Sequence, residues 1–92
     1  MKSLRVGIIG CGLIGNKRAR VIKGDELTSL SCASDPVFSN AESLIKGFGN
    51  EQARAYQDWR VMLDKEKLDA VIVATPNKFL KEIALVEWRD SY

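Results

Sequence analysis

The chain has no histidine, only two cysteines and two prolines, and no apolar stretch long enough to cross a membrane. Cys11 and Cys32 form no C-x-x-C pair and have no histidine partner, which speaks against metal and thiol-redox work. Two cysteines cannot build a disulfide framework, so reduced thiols in a cytoplasmic protein are the expectation. The apolar run after Lys2 breaks at glycines, so no signal peptide is read there. A net charge of +2 is too small to point to nucleic acid or a membrane surface. At 92 residues the chain has room for one domain with a modest core, and 46% hydrophobic with 28% charged residues is ordinary for a globular protein.

What the chain does have is a glycine turn in a telling place. Leu4, Val6, Ile8 and Ile9 read as a short strand, and Asn16–Lys23 reads as a helix. Between them stands Gly10-Cys11-Gly12-Leu13-Ile14-Gly15, a G-x-G-x-x-G sequence. Strand, turn and helix in that order form the first half of a dinucleotide-binding fingerprint. Gly10 permits the sharp exit from the strand, Gly12 lets backbone approach a pyrophosphate, and Gly15 allows helix and strand to pack closely. The helix start offers unpaired N–H groups and the positive end of its dipole to phosphates. Gly10, Gly12, Leu13, Ile14 and Gly15 are therefore the expected cofactor contacts. The alternative is a structural turn that binds nothing.

A second strand, Leu27–Ala33, ends in Ser34 and Asp35, and Asp35 lies 20 residues beyond Gly15. That is the offset of the acid that holds the adenosine ribose of NAD. A carboxylate there repels the 2′-phosphate of NADP. Two like charges ~4 Å apart cost about 1 kcal/mol in water and about 4 kcal/mol at an effective dielectric near 20, roughly a five-fold to thousand-fold bias toward NAD. No cation stands at Pro36, Val37 or Phe38 to offset it. As an alternative, Asp35 before Pro36 is a turn starter. Lys17, Arg18, Arg20 and Lys23 cluster on the first helix, either as a solvated face or as phosphate ligands.

Further along, Gly24 and Asp25 stop the first helix. Ser39 with Glu42 forms a capping box for a helix over about Asn40–Lys46, closed by Gly47 and Gly49. A short strand follows near Ala53–Tyr56. Asp58 caps a helix carrying Trp59, Met62 and Leu63, and Lys65–Lys67 reads as a charged, solvated connection. Ala70–Ala74 lacks polar alternation, as a strand covered on both faces does. Thr75-Pro76-Asn77 ends it, and Lys78–Trp88 reads as a last helix with Phe79, Leu80, Ile83 and Ala84 on one face. Alternating strands and helices predict an α/β fold of Rossmann type: a doubly wound parallel sheet of about four strands, order 3-2-1-4, with helices on both faces.

Val6–Gly15, then Asp35-Pro36, then Leu68-Asp69-Ala70-Val71-Ile72-Val73-Ala74-Thr75-Pro76-Asn77 together resemble the N-terminal NAD(P)-binding domain of the glucose–fructose oxidoreductase/inositol dehydrogenase (Gfo/Idh/MocA) family. The resemblance runs to about Val86. It implies an NAD-dependent sugar or polyol oxidoreductase, with Thr75, Pro76 and Asn77 beside the cofactor's pyrophosphate and nicotinamide ribose. Without the resemblance, those three are a strand-ending turn. Family members commonly carry a histidine where Leu80 stands, and later a Glu-Lys-Pro motif whose lysine assists proton transfer. This sequence ends Glu87-Trp88-Arg89-Asp90-Ser91-Tyr92 without that motif. No catalytic residue is assigned, and neither Lys78 nor Lys81 matches the missing lysine.

The expectation is a single dinucleotide-binding domain over residues 1–92, incomplete at its C-terminus and lacking a substrate domain, inactive alone. Two alternatives stand beside it. One is a truncated reading-frame product or non-catalytic nucleotide binder. The other is a cofactor subunit completed by another chain along an apolar sheet edge at Ala70–Ala74.

Overall fold

In a computed structural model of the chain, residues 3–74 are described. Within them the elements run β1 (Leu4–Ile9), α1 (Leu13–Lys23), β2 (Thr28–Ser34), α2 (Phe38–Phe48), β3 (Arg54–Tyr56), α3 (Trp59–Lys65) and β4 (Ala70–Val73). The four strands form one parallel sheet in the order β3-β2-β1-β4, as expected from the alternation. β1 lies centrally, paired with β2 from Leu4 to Ile9 and with β4 from Val6 to Ile9, and an irregularity at Val6/Gly7 shifts the β1–β2 register. Thr75, Pro76, Asn77 and the helix expected at Lys78–Trp88 lie outside the described residues.

Side chains alternate across this sheet and bury both faces. Val6, Ile8, Leu30 and Ala33 pack against Ala19 and Ile22 of α1 and Ala41 and Leu44 of α2. On the opposite face, Ile9 and Cys32 pack against Met62 of α3, flanked by Tyr56, Trp59, Leu63 and Leu68. Full burial of side chains such as Ile8, Leu44 and Met62 contributes about 1.5–3 kcal/mol each. Gly7 faces Met62, and a Cβ there would stand 2.7 Å from Leu68 Cδ1 and 3.0 Å from Cys32 Sγ. The strand approaches α3's layer closely because it has no side chain at this point.

Several boundaries differ from expectation. α1 begins at Leu13 rather than Asn16, because the last residues of the glycine turn already form the first helical turn. β2 starts at Thr28 and ends at Ser34, and β3 at Arg54, one residue later than read. α2 begins at Phe38, with Val37 in the N-cap position and no side-chain cap. The Ser39–Glu42 capping box does not form, because Asp35 Oδ1 accepts the Val37 N–H at 2.8 Å and turns the chain earlier. Gly47 lies inside α2, and Gly49 closes it by donating its N–H to the Ile45 carbonyl at 2.8 Å. Asp58 does cap α3, its Oδ1 accepting the Arg60 N–H at 2.9 Å.

Two regions change character. The Lys65–Lys67 connection is not wholly solvated: the Glu66 side chain is only 9% exposed. Its Oε1 pairs with Arg5 at 3.2 Å, and its Oε2 accepts the Tyr56 hydroxyl at 2.5 Å. Burial, together with that carboxylate, pushes the Tyr56 phenol up. β4 is partly rather than fully buried, with Ala70 exposed and Val71–Val73 intermediate, and β1 is its sole strand partner among the described residues. No helix of the described residues is long and apolar enough to cross a membrane.

Candidate functional site

Where β1 ends, the chain is bent by Gly10 at φ 98°, a conformation that costs an L side chain roughly 1–2 kcal/mol. The neighbouring strand fixes this bend. The Ser34 carbonyl accepts the Gly10 N–H at 2.8 Å and the Cys11 thiol at 3.3 Å. Asp35 continues the attachment: its Oδ2 accepts the Cys11 N–H at 2.9 Å, and its own N–H donates to the Tyr56 carbonyl at 3.1 Å. Glycine turn, end of β2 and end of β3 are thus tied into one rim at the carboxyl end of the sheet. That rim is where open α/β sheets hold their ligands.

The glycines of the turn differ in their surroundings. A Cβ on Gly15 would lie 2.1 Å from the Gly10 carbonyl oxygen, so α1 sits hard against the turn. A Cβ on Gly12 would meet nothing within 4 Å, leaving open space directly before the helix. No side chain caps this end of α1, and its first internal bond runs from the Asn16 N–H to the Gly12 carbonyl at 2.9 Å. The N–H groups of Leu13, Ile14 and Gly15 therefore lack intrahelical acceptors. Leu13 is 76% and Ile14 57% exposed beside the opening. Open space at Gly12, helix-end donors without intrahelical acceptors and a carboxylate one strand away are groups that could hold the two ends of an adenosine diphosphate.

The sequence-predicted residues Gly10, Gly12, Leu13, Ile14, Gly15 and Asp35 thus meet at one rim. Thr75, Pro76 and Asn77 lie outside the described residues. One buttress escaped the sequence reading. Asn16 Nδ2 donates to the Cys11 and Gly12 carbonyls at 3.1 and 2.9 Å, fixing the turn from the helix side. An amide one residue past the last glycine is the signal that could have found it. The cations Lys17, Arg18, Arg20 and Lys23 are all exposed, and Lys23 donates to the Gly47 carbonyl of α2 at 2.9 Å.

Both cysteines are free and buried. Burial, then the nearby Asp35 charge, pushes the Cys11 thiol up to about 12, and burial, then Glu66, does the same to Cys32. A raised thiol pKa means the folded state holds protons that the unfolded state releases. That stabilisation is present below the ordinary value of 9.0 and is lost as pH rises toward about 12. Urea unfolding followed from pH 7 upward should show a midpoint insensitive to these thiols until about pH 9 and falling beyond it. Alkylation of the folded chain at pH 8 should be slow for both thiols and fast in urea. Rapid labelling of Cys11 without denaturant would contradict its sealed position.

A model of the family described as "Oxidoreductase family, NAD-binding Rossmann fold" (Gfo/Idh/MocA) matches residues 4–86. Inositol 2-dehydrogenase 4 of Saccharopolyspora erythraea is 32% identical over 78 residues, covering 84% of this chain and 22% of that protein. The scyllo-inositol dehydrogenase of Lactobacillus casei, solved with NAD(H) and scyllo-inositol, superposes with a TM-score of 0.86 at 22% identity, over 98% of this chain and 26% of that one. A 3-ketoreductase from Actinomadura kijaniata, solved with NADP, gives 0.86 at 21% identity over 98% and 27%. At these identities the two structures speak to the fold alone. The chain spans about a fifth of the length of the curated relatives it matches. With that family's domain matched across residues 4–86 and its glycine turn open at the mouth of the first strand–helix unit, the chain belongs to the Gfo/Idh/MocA oxidoreductases, in their NAD-binding Rossmann domain.

Proposed function

We propose that these 92 residues form the NAD-holding half of a sugar or polyol oxidoreductase, with NAD preferred over NADP and no turnover without a substrate-binding partner domain. The observation that carries the reading is the bond from the Cys11 N–H to Asp35 Oδ2, which joins the diphosphate turn to the ribose acid. The pyrophosphate takes the space before Gly12 and the N–H groups of Leu13, Ile14 and Gly15. The adenosine ribose lies on Asp35, each of whose oxygens has accepted one backbone N–H. A carboxylate offers about four acceptor sites, so both oxygens keep capacity for the ribose hydroxyls. Thr75, Pro76 and Asn77, which end the last strand of the resemblance, serve the nicotinamide end.

The nicotinamide supplies hydride acceptance when bound; the substrate hydroxyl must also lose a proton to a base. These residues contain no histidine and no Glu-Lys-Pro lysine, so that base comes from elsewhere. β4 pairs with β1 alone among the described strands, leaving its other side as the place where a second chain would add a strand. The inositol dehydrogenases among the relatives favour polyols as the substrate class.

The test is a fluorescence titration with NADH and NADPH. Wild type should saturate with NADH at least five-fold more tightly than with NADPH, from the like-charge cost at about 4 Å. Asp35→Ala should weaken NADH and bring the two affinities together. Unchanged selectivity in the variant would remove Asp35 from the ribose site.

A further inference from the structure

Gly10 and Cys11 commit their N–H groups to the end of β2, at the Ser34 carbonyl and Asp35 Oδ2. Gly12 is the first residue of the turn whose N–H has no partner among the described residues. Two carbonyls decide where that N–H points. Asn16 Nδ2 donates to the Cys11 oxygen at 3.1 Å and to the Gly12 oxygen at 2.9 Å, so both its hydrogens are in use. Only the nitrogen of a side-chain amide can face two carbonyl oxygens, because its oxygen is itself an acceptor.

The Cys11 carbonyl shares a peptide plane with the Gly12 N–H, and the Gly12 carbonyl shares one with the Leu13 N–H. Both peptides are trans, and in a trans peptide C=O and N–H point in opposite directions. The two oxygens converge on Asn16, on the helix side, so the two N–H groups turn away from it, at a residue that is exposed and has open space beside it. The Gly12 N–H then joins those of Leu13, Ile14 and Gly15 as successive backbone donors, an arrangement that takes anions. We propose that Asn16 is a positioning residue for the diphosphate, and that it makes the Gly12 N–H a further donor to that anion. This role rests on the dinucleotide reading of the rim. The Cys11 carbonyl accepts no other hydrogen bond among the described residues, so without the Asn16 amide its peptide is free to rotate the Gly12 N–H out of the opening. Holding that peptide before the ligand arrives removes an ordering cost from binding.

Amide chemical shifts of the full chain test it, with ADP and adenosine as probes. ADP should saturate and carry the Gly12 amide proton downfield together with those of Leu13, Ile14 and Gly15, and adenosine should leave the Gly12 proton in place. Asn16→Ala and Asn16→Leu, the second keeping the shape without the donor, should each bind ADP about tenfold more weakly, one decade in Kd. The shifts that a fixed millimolar concentration of adenosine produces at Asp35 and Val37 should be the same in both variants as in wild type. Variants that bind ADP as wild type, or that lose the adenosine shifts along with ADP, would overturn the role, the latter by marking Asn16 as a general support of the fold. ADP that moves Leu13, Ile14 and Gly15 but not Gly12 would overturn it and leave the dinucleotide reading standing. No saturation by ADP would overturn both. Should neither variant fold, the Gly12 proton of wild type still decides.

Discussion

Gly15→Ala is expected to lower the unfolding free energy by about 3 kcal/mol, the upper end of the usual overpacking range. The added methyl would stand 2.1 Å from the Gly10 carbonyl oxygen and 3.1 Å from its carbon. Both are backbone atoms, so no rotamer change relieves the contact. Gly10 cannot retreat either, since its N–H is bound to Ser34 and its φ of 98° is already special. The helix must lift from the sheet, and Ala19 and Ile22 lift with it from a core that includes Ile8 and Leu30. A urea midpoint lower by roughly 2–3 M is the expected readout, taking about 1–1.5 kcal/mol/M for a domain of this size. Against a total stability of about 5–15 kcal/mol, that loss brings a small domain near unfolding. A midpoint within about 0.3 M of wild type would mean the helix and turn are not packed as described.

The same substitution three residues earlier should do the reverse. Gly12 has φ −83° and ψ −153°, extended backbone open to other residues, and nothing lies within 4 Å of the position a Cβ would take. Gly12→Ala should therefore leave stability within about 1 kcal/mol of wild type. Its methyl, however, would occupy the open space through which the proposed pyrophosphate reaches the helix-end N–H groups. Hydrogen bonds to charged groups contribute about 1.5–3 kcal/mol, so losing one weakens NADH roughly ten- to hundred-fold. Isothermal titration and unfolding of both variants test this division: Gly15→Ala should lose stability, and Gly12→Ala should lose NADH affinity while keeping its stability. Gly12→Ala binding NADH as wild type would remove the pyrophosphate from this opening.

Local patterns carried much of this architecture in the sequence. Val6, Ile8 and Ile9 named the first strand, Asp58 named a cap, and strand–helix alternation with right-handed crossovers gave the order β3-β2-β1-β4. Asp35 was visible by spacing alone, and it meets the turn at 2.9 Å. What escaped depended on tertiary partners. Ser39 looked like a cap because Ser-x-x-Glu is one, yet Asp35 bonds Val37 first and starts the helix sooner. Glu66 looked solvated between two lysines, but Arg5 and Tyr56, distant in sequence, hold its carboxylate. Gly7 carried no turn signal because its role is to admit Met62 and Leu68 to the sheet face.

The most direct measurement of the central claim is a residue-resolved NADH titration of the 92-residue chain by amide chemical shifts. Saturable movement of the Leu13, Ile14 and Gly15 amides, together with those of Asp35 and Val37, is the predicted result. Saturable binding that leaves these five amides in place, or no saturation at millimolar NADH, would contradict the account.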